Sequence, residues 1–266
     1  MKSVKSLLVV VCLSLFGFGT AQAAVETFDS YATHTNTTNS GDPGEALFSI
    51  YGDSPSQVIG TWEGDVGDGG DGLTGAGIGS NGQDIYAFGT GGGSGLDAGQ
   101  DLGIMDFGMH DWGMTSGVIA DYLGPDGLDL HGGTLDVRAL LQATNFSGQI
   151  RLGFVSDSQH DRGDGPENVE FTSPAFAITD SFAWYHGELN SFLSDVDGTT
   201  SYGASPGVKV LGVWVDLFNS DAVTGTVSGE LRIDQIELTP EPASLVILMA
   251  GCTALLKQRA KRRRRS

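Results

Sequence analysis

The chain has 266 residues, of which 41 are glycine and 18% are charged. Of its 33 acidic residues only Glu241 lies outside the segment from Ala24 to Thr239, which holds five basic residues and so carries 5 − 32 = −27, against −19 for the whole chain. A field this negative excludes nucleic acid as a partner of the segment, and its lack of cysteine excludes disulfide scaffolds and thiolate sites.

The N-terminus has the form of a secretory signal peptide covering residues 1–23. Two lysines precede an apolar run over residues 7–20, and Ala21 and Ala23 are the small residues that a signal peptidase needs before its cut. We therefore expect the general secretory machinery to cleave before Ala24 and to export the rest. A retained membrane helix is the alternative, but the apolar run is too short to span a bilayer.

The segment that follows has the pattern of an all-β domain. Its apolar residues come in short runs, many of them alternating with polar residues and bounded by Gly, Asp, Asn or Pro. Nine such runs predict one antiparallel β-sandwich ectodomain over residues 24–239. The fifth run also fits a partly helical segment, because Ala, Leu and Gln dominate its second half. The predicted strands are Val25–Phe28, Ala46–Tyr51, Gln57–Trp62, Asp84–Phe88, Thr134–Ala143, Gln149–Val155, Ala175–Thr179, Val208–Phe218 and Glu230–Leu238.

A glycine-rich stretch interrupts this pattern over residues 64–99, where 15 of 36 residues are glycine. It predicts a long loop or loosely ordered insertion rather than a domain boundary, since strand patterns resume on both sides. Asp65, Asp68 and Asp71 are evenly spaced within it, and carboxylates on a flexible loop suit Ca²⁺. A solvated acidic linker explains the same residues.

No catalytic motif in the domain meets its structural requirements, so no catalytic residue is assigned. Gly77–Gly82 matches the dinucleotide fingerprint but does not open a helix. Gly203–Gly207 matches the nucleophile elbow, yet Pro206 follows the serine and has no N–H to donate to an oxyanion. The five histidines form no zinc-type pair. Among the carboxylates, Glu188 beside Trp184 is the one to inspect for a hydrolase.

Sugar binding requires exposed aromatic rings with polar neighbours. Trp112 and Tyr122 lie in a polar, glycine-rich stretch, and we expect them to be exposed and to bind ligand. Trp184 is expected in the core, by analogy with its strand neighbours.

The C-terminal residues 240–266 combine three features in order. Pro240-Glu241-Pro242 is followed by an apolar helix predicted over residues 243–256 and then by an end with seven Lys or Arg. At 1.5 Å per residue the helix is about 21 Å long, less than the roughly 30 Å of a bilayer core. The positive-inside rule holds its basic end in the cytoplasm.

This tail resembles the PEP-CTERM sorting signal of Gram-negative bacteria. The resemblance implies an exosortase as partner, an integral-membrane enzyme that processes the tail at or near the Pro-Glu-Pro sequence. It also implies transient residence in the inner membrane, followed by a place at the cell surface or in an extracellular matrix rich in exopolysaccharide. An ordinary tail anchor is the alternative.

Three segments of the domain resemble jelly-roll domains related to carbohydrate-binding modules. Val25–Tyr31 resembles their first strand, Trp184–Phe192 the segment that follows an inner strand, and Gly229–Leu238 the closing strand. The resemblance implies that the first and last strands lie side by side. It further implies a structural Ca²⁺ between them, held by Glu26 and Asp234.

These observations predict a non-enzymatic surface or matrix protein that binds extracellular polysaccharide. A secreted carbohydrate-active hydrolase and a purely structural matrix component stay open. An exposed aromatic strip without paired carboxylates favours binding, and a cleft with two close carboxylates favours the hydrolase. A featureless sheet face favours the structural component.

Overall fold

The computed structural model describes most of the ectodomain and neither end of the chain. The residues described are 22–29, 34–36, 45–51, 58–65, 73–80, 83–91, 98, 101–107, 118–161, 166–223 and 227–241. Several predictions concern residues outside these ranges: Ala21, Asp68, Asp71, Trp112, Pro242 and the helix over residues 243–256.

The described residues form fifteen β-strands and one short α-helix, α1 (Val118–Leu123). The strands are β1 (Ala24–Glu26), β2 (His34–Asn36), β3 (Glu45–Tyr51), β4 (Val58–Asp65), β5 (Leu73–Ser80), β6 (Ile85–Gly91), β7 (Asp101–Phe107), β8 (Thr134–Thr144), β9 (Gly148–Asp161), β10 (Pro166–Thr172), β11 (Phe176–Ala177), β12 (Ala183–Glu188), β13 (Leu193–Ser194), β14 (Val210–Asn219) and β15 (Val227–Thr239). Two short 3₁₀ turns cover Leu189–Ser191 and Tyr202–Ala204.

These strands make two sheets in which every described pair is antiparallel. Sheet I has the order β12-β8-β15-β6-β5-β2, with β1 also paired to β15. Sheet II has the order β13-β10-β9-β14-β7-β4-β3, with β11 also paired to β9. Alternate residues of both sheets enter one apolar core, so the predicted antiparallel β-sandwich is confirmed.

Strict alternation builds this core. In β8, Leu135, Val137 and Ala139 are buried while the residues between them are partly exposed. On the facing sheet, Val213 and Val215 of β14 enter the same core. Because successive side chains of a strand point to opposite faces, each strand leaves a second set of residues on the outside of the sandwich.

The central strand β14 is buried on both of its faces. Trp214 and Asp216, which point away from the core, are 4% and 1% exposed. The indole of Trp214 lies directly over Gly153 of β9, where an added Cβ would sit 2.2 Å from its Cζ2. Gly153 therefore provides the space that the indole occupies.

All nine predicted strands overlap observed ones, and β8 is extended throughout, so the partly helical alternative for it is wrong. The loop predicted over residues 64–99 is also wrong in part. Leu73–Ser80 forms β5, which pairs with β2 and with β6. Partner strands on both sides supply the backbone hydrogen bonds that make this glycine-rich segment extended, against its low intrinsic preference.

The first and last strands lie side by side, as the resemblance implied. Ala24, Val25 and Glu26 pair with Leu238, Glu237 and Ile236. Ala24 is 4% exposed and belongs to the core. The chain therefore enters and leaves the domain at one place.

Candidate functional site

The outer face of sheet I, turned away from the core, carries a polar and aromatic patch on its edge strand β12 and on the neighbouring strand β8. On β12 the buried residues are Tyr185 and Gly187, so the residues between and beside them point outward. The register places Trp184 opposite Arg138 and His186 opposite Asp136 on β8. We call this patch the Trp184 face: Thr134, Asp136, Arg138, Trp184, His186 and Glu188.

Among the residues whose exposure the structure describes, Trp184 is the most exposed large aromatic residue, at 48%. Its expected burial in the core is wrong, because the alternation of β12 sends Tyr185 inward in its place. The Tyr185 hydroxyl accepts a hydrogen bond from the Thr179 N–H at 3.1 Å, which holds the inner side of the strand. The indole is thus presented to solvent by a strand that is packed from behind.

Arg138 lies beside Trp184 and is already engaged by other groups. Its guanidinium is ion-paired with Asp234 of β15 and lies over the ring of Phe182, 5.1 Å from the ring centre. Gln235, which is paired with Arg138 in the register, donates to Glu237 at 2.6 Å. These contacts fix the polar surroundings of the indole.

His186 joins two carboxylates on the same face. Its Nδ1 lies 2.6 Å from Asp136 Oδ1, and its Nε2 lies 3.1 Å from Glu188 Oε1. Thr134 donates to the second Asp136 oxygen at 2.9 Å. The hydrogen bond to Asp136, followed by the one to Glu188, raises the pKa of His186 above its ordinary value of 6.5. Protonation therefore strengthens a bridge between β8 and β12.

The spacing of the groups on this face can be compared with what bond cleavage and sugar binding each require. Glycoside hydrolysis uses two carboxyl groups facing each other across the substrate, with about 5 to 9.5 Å between them. On the Trp184 face, the imidazole of His186 fills the space between Asp136 and Glu188. An indole beside hydrogen-bond acceptors matches the requirements for stacking on a sugar ring and binding its hydroxyls.

The predicted calcium ligands lie close in register but do not form a complete site. Glu26 is 5% exposed, stands opposite Ile236, and accepts the Phe28 N–H at 3.1 Å. Asp234, in an irregular part of β15, is held by Arg138. No group of three His, Cys, Asp or Glu residues suited to a metal occurs within the described ranges. Since Ca²⁺ takes six to eight oxygens, this site stays a prediction.

The other predicted ligand-binding residue in the described part, Tyr122, lies elsewhere. It belongs to α1, which packs on β1 and β14. Tyr122 is only partly exposed and contacts the core, so its expected exposure is not borne out. Burial raises the pKa of its hydroxyl.

The rejected motifs have ordinary structural roles. Gly77 and Gly79 lie within β5 and open no helix. Ser205 follows the 3₁₀ turn Tyr202–Ala204 and donates through Oγ to the Ser201 carbonyl at 3.2 Å.

The start of the Pro-Glu-Pro sequence is placed at the edge of the domain. Pro240 and Glu241 directly follow β15, and the Glu241 side chain lies against Gly132 in the turn that precedes β8. Asn190 Oδ1 accepts the Gly132 N–H at 2.9 Å, which steadies this turn. No spacer separates the last strand from the sequence that the sorting resemblance depends on.

Four residues of the Trp184 face were not identified as site residues from the sequence: Thr134, Asp136, Arg138 and His186. The signal was present in two alternating runs, residues 134–139 and 183–188. In each run the polar residues share one face of a strand, so Asp136, Arg138, His186 and Glu188 were all assignable to the outside. What the runs do not show is that the two strands pair.

Within the described ranges, no helix is both long and apolar enough to cross a membrane. No protein-family model matches the sequence, and no curated protein matches it.

Several solved structures are similar to the chain at low identity. One is the family 11 carbohydrate-binding module of a cellulosomal cellulase of Clostridium thermocellum, with 11% identity and a TM-score of 0.34, covering 79% of this chain and 95% of the module. A second is the Clostridium thermocellum xylanase 10B, with 7% identity and a TM-score of 0.31, covering 84% of this chain and 28% of the other. A third is the glycoside hydrolase domain of Endo-D from Streptococcus pneumoniae, with 13% identity and a TM-score of 0.32, covering 78% and 27%. At these TM-scores the similarity assigns neither ligand nor activity.

Proposed function

We propose that this chain is an exported surface or matrix protein whose Trp184 face binds polysaccharide. The exposure of Trp184 is the observation that carries the proposal, since the residue is 48% exposed on a strand whose inward residues are packed. Aromatic rings stack on the apolar faces of sugar rings, while polar neighbours hydrogen-bond to the hydroxyls. Asp136 and Glu188 supply such neighbours on the same face.

The proposed role is non-enzymatic. The bridge of Asp136, His186 and Glu188 supports it, because each carboxylate has one oxygen bound to the imidazole. The hydrolase alternative is tested in the same experiment by measuring the release of reducing ends from each polysaccharide.

The test compares the wild-type protein with Trp184→Ala and Trp184→Phe on a panel of polysaccharides. We expect Trp184→Ala to weaken binding by about tenfold or more, because an aromatic contact worth about 1.5 kcal/mol corresponds to a factor of roughly ten. Trp184→Phe keeps a ring and should retain part of the affinity. Affinity electrophoresis measures soluble polymers, and pull-down measures insoluble ones.

Leu193→Ala is the matched control, because Leu193 is 40% exposed but belongs to sheet II. It should bind like the wild-type protein. Equal binding by wild type and Trp184→Ala to every polymer would overturn the proposal and favour the purely structural component. Release of reducing ends that is lost in Glu188→Gln would favour the hydrolase.

We also propose export through the signal peptide and sorting through the C-terminal tail. Two boundaries of the fold support this. β1 begins at Ala24, so the expected cut leaves a complete first strand. β15 ends at Thr239, so processing at the Pro-Glu-Pro sequence leaves a complete last strand.

The intact mass of the protein from its host, with and without the exosortase gene, tests this proposal. We expect a mature form that begins at Ala24 and has lost the tail in the wild-type host, and a form that keeps the tail in the deletion strain. A tail present in both strains would instead identify a membrane-anchored ectodomain.

A further inference from the structure

We infer that the Trp184 face selects uncharged polysaccharides and rejects those bearing carboxylate or sulfate groups. The inference rests on the proposed function and specifies its ligand class. It follows from the state of the positively charged side chains around the indole and from the net charge of the sheet that carries it.

The arginines of sheet I are both occupied by acidic side chains. Arg138 is ion-paired with Asp234 and stacked on Phe182. Arg232 Nε lies 3.3 Å from Asp84 and 3.4 Å from Glu230. Recognition of an anionic sugar depends on cationic donors, most often a guanidinium in bidentate contact. An anionic ligand would therefore have to displace a carboxylate of the protein from each guanidinium.

His186 does not supply the missing donor. Both of its ring nitrogens point at carboxylates of the protein, Asp136 and Glu188. When His186 is protonated, both of its N–H groups donate to these two carboxylates and neither is left for a ligand. When it is neutral, the imidazole carries no positive charge.

The negative electrostatic field of the protein also disfavours an anionic ligand. The strands β8, β12 and β15 contain five carboxylates and two arginines, which gives 2 − 5 = −3 with His186 neutral. The segment from Ala24 to Thr239 carries −27. A polymer with repeated negative charges is repelled by both terms.

The exposed acceptor groups on the Trp184 face fit a polyhydroxyl ligand. The Glu188 side chain is 63% exposed and, like Asp136, is a hydrogen-bond acceptor. Sugar hydroxyls are donors, and a carboxylate accepts such bonds more strongly than a neutral oxygen does. Neither the stacking of a sugar ring on the indole nor the hydrogen bonds from sugar hydroxyls to carboxylates requires a charge on the polymer.

The experiment compares three soluble polymers of similar length with the full-length protein: a neutral β-glucan, polygalacturonate and the amine-bearing chitosan. Each is measured with wild type and Trp184→Ala, at about 50 mM and about 500 mM NaCl. The basic tail is the same in both variants, so only the difference between them reports the Trp184 face.

We expect binding that depends on Trp184 for the neutral glucan alone, changed less than about twofold by salt. Binding to chitosan should persist in Trp184→Ala and disappear at high salt, as for a diffuse charge interaction. The charge-reversal variant Glu188→Lys should raise the affinity for polygalacturonate at low salt, while Glu188→Gln should not.

The results separate the two levels of inference. Binding to polygalacturonate or chitosan that depends on Trp184 and exceeds binding to the glucan would overturn the selectivity and leave polysaccharide binding in place. Binding to none of the three that depends on Trp184 would overturn both.

Discussion

At position 186 a single imidazole joins two strands. His186 bonds to Asp136 across the strand pair and to Glu188 on its own strand, and these bonds raise its pKa. A group with a raised pKa in the folded state contributes stability that is complete below its ordinary pKa and lost as the pH rises through the higher folded value.

The pH dependence of stability is therefore expected to differ between wild type and His186→Gln. The stability advantage of the wild type should be full below about pH 6.5 and should vanish over the next units above it. The difference in the free energy of unfolding should stay below about 1 kcal/mol, because the His186 side chain is 54% exposed and solvent screens its interaction with Asp136. Urea unfolding across this range measures it, and the other histidines cancel in the difference. An advantage that grows with pH would contradict the assigned bridge.

Gly153 provides a second prediction for a single residue. An alanine there would place its Cβ 2.2 Å from the indole of Trp214, so the substitution forces the ring or the strand to move. We expect Gly153→Ala to destabilise the protein by about 1–3 kcal/mol or more, as overpacked cores do.

Gly207→Ala is the control that separates the steric clash at Gly153 from the general cost of replacing a glycine by alanine. Gly207 has a φ of +79° and no atom within 4 Å of an added Cβ, so only backbone strain of about 1 kcal/mol is expected. Thermal unfolding ranks the two variants. A smaller loss for Gly153→Ala than for Gly207→Ala would mean that the indole does not lie over β9.

At the scale of elements, the strands with clear alternation were predictable and the glycine-rich ones were not. Thr134–Thr144 and Val210–Asn219 have apolar residues dense enough to identify them without a partner. Leu73–Ser80 has glycine at three alternate positions, 75, 77 and 79, so its sequence lacks the apolar alternation of a strand, and only its pairing makes it extended.

The Trp184 face shows the same limit. Alternation along β12 turns Trp184 outward, whereas the analogy with its strand neighbours had placed it in the core. Its neighbours could not be found from the sequence, because Asp136 and His186 are 50 residues apart and meet only through the pairing of β8 with β12. Long-range register is the information that short sequence patterns lack.

The pairing of β1 with β15 gives a prediction for an element. Ala24 and Val25 are neighbours on β1, but Ala24 is 4% exposed and Val25 is 39% exposed. We expect Ala24→Lys to destabilise the domain by about 2 kcal/mol or more, since it places a charge in the core.

Val25→Lys is the matched change. It stands opposite Glu237 on the outer face, so it should be neutral or slightly stabilising. Chemical denaturation of both variants measures the contrast. Equal tolerance of lysine at the two positions would show that β1 is not part of the sandwich in solution.

At the scale of the whole molecule, the net charge of −27 between Ala24 and Thr239 opposes compaction. Because added salt screens this repulsion, the Tm is expected to rise by several degrees between about 10 mM and about 300 mM ionic strength. Scanning calorimetry in NaCl and in KCl should give the same rise. A falling Tm would mean that ion pairs such as Arg151 with Asp216 outweigh the repulsion.

The neighbouring positions of β1 and the end of β15 also determine how the molecule responds to mechanical force. A pull between Ala24 and Thr239 opens the β1–β15 pair from one end, so its hydrogen bonds break one after another under a small force. A pull between Trp184 and Thr239 acts along β12 and β15, which run in the same direction on either side of β8. Such a load acts in shear, and the backbone hydrogen bonds of the β12–β8 and β8–β15 pairs bear it at the same time. A force applied at Trp184 and at Thr239 would therefore load sheet I in shear rather than open it from one end.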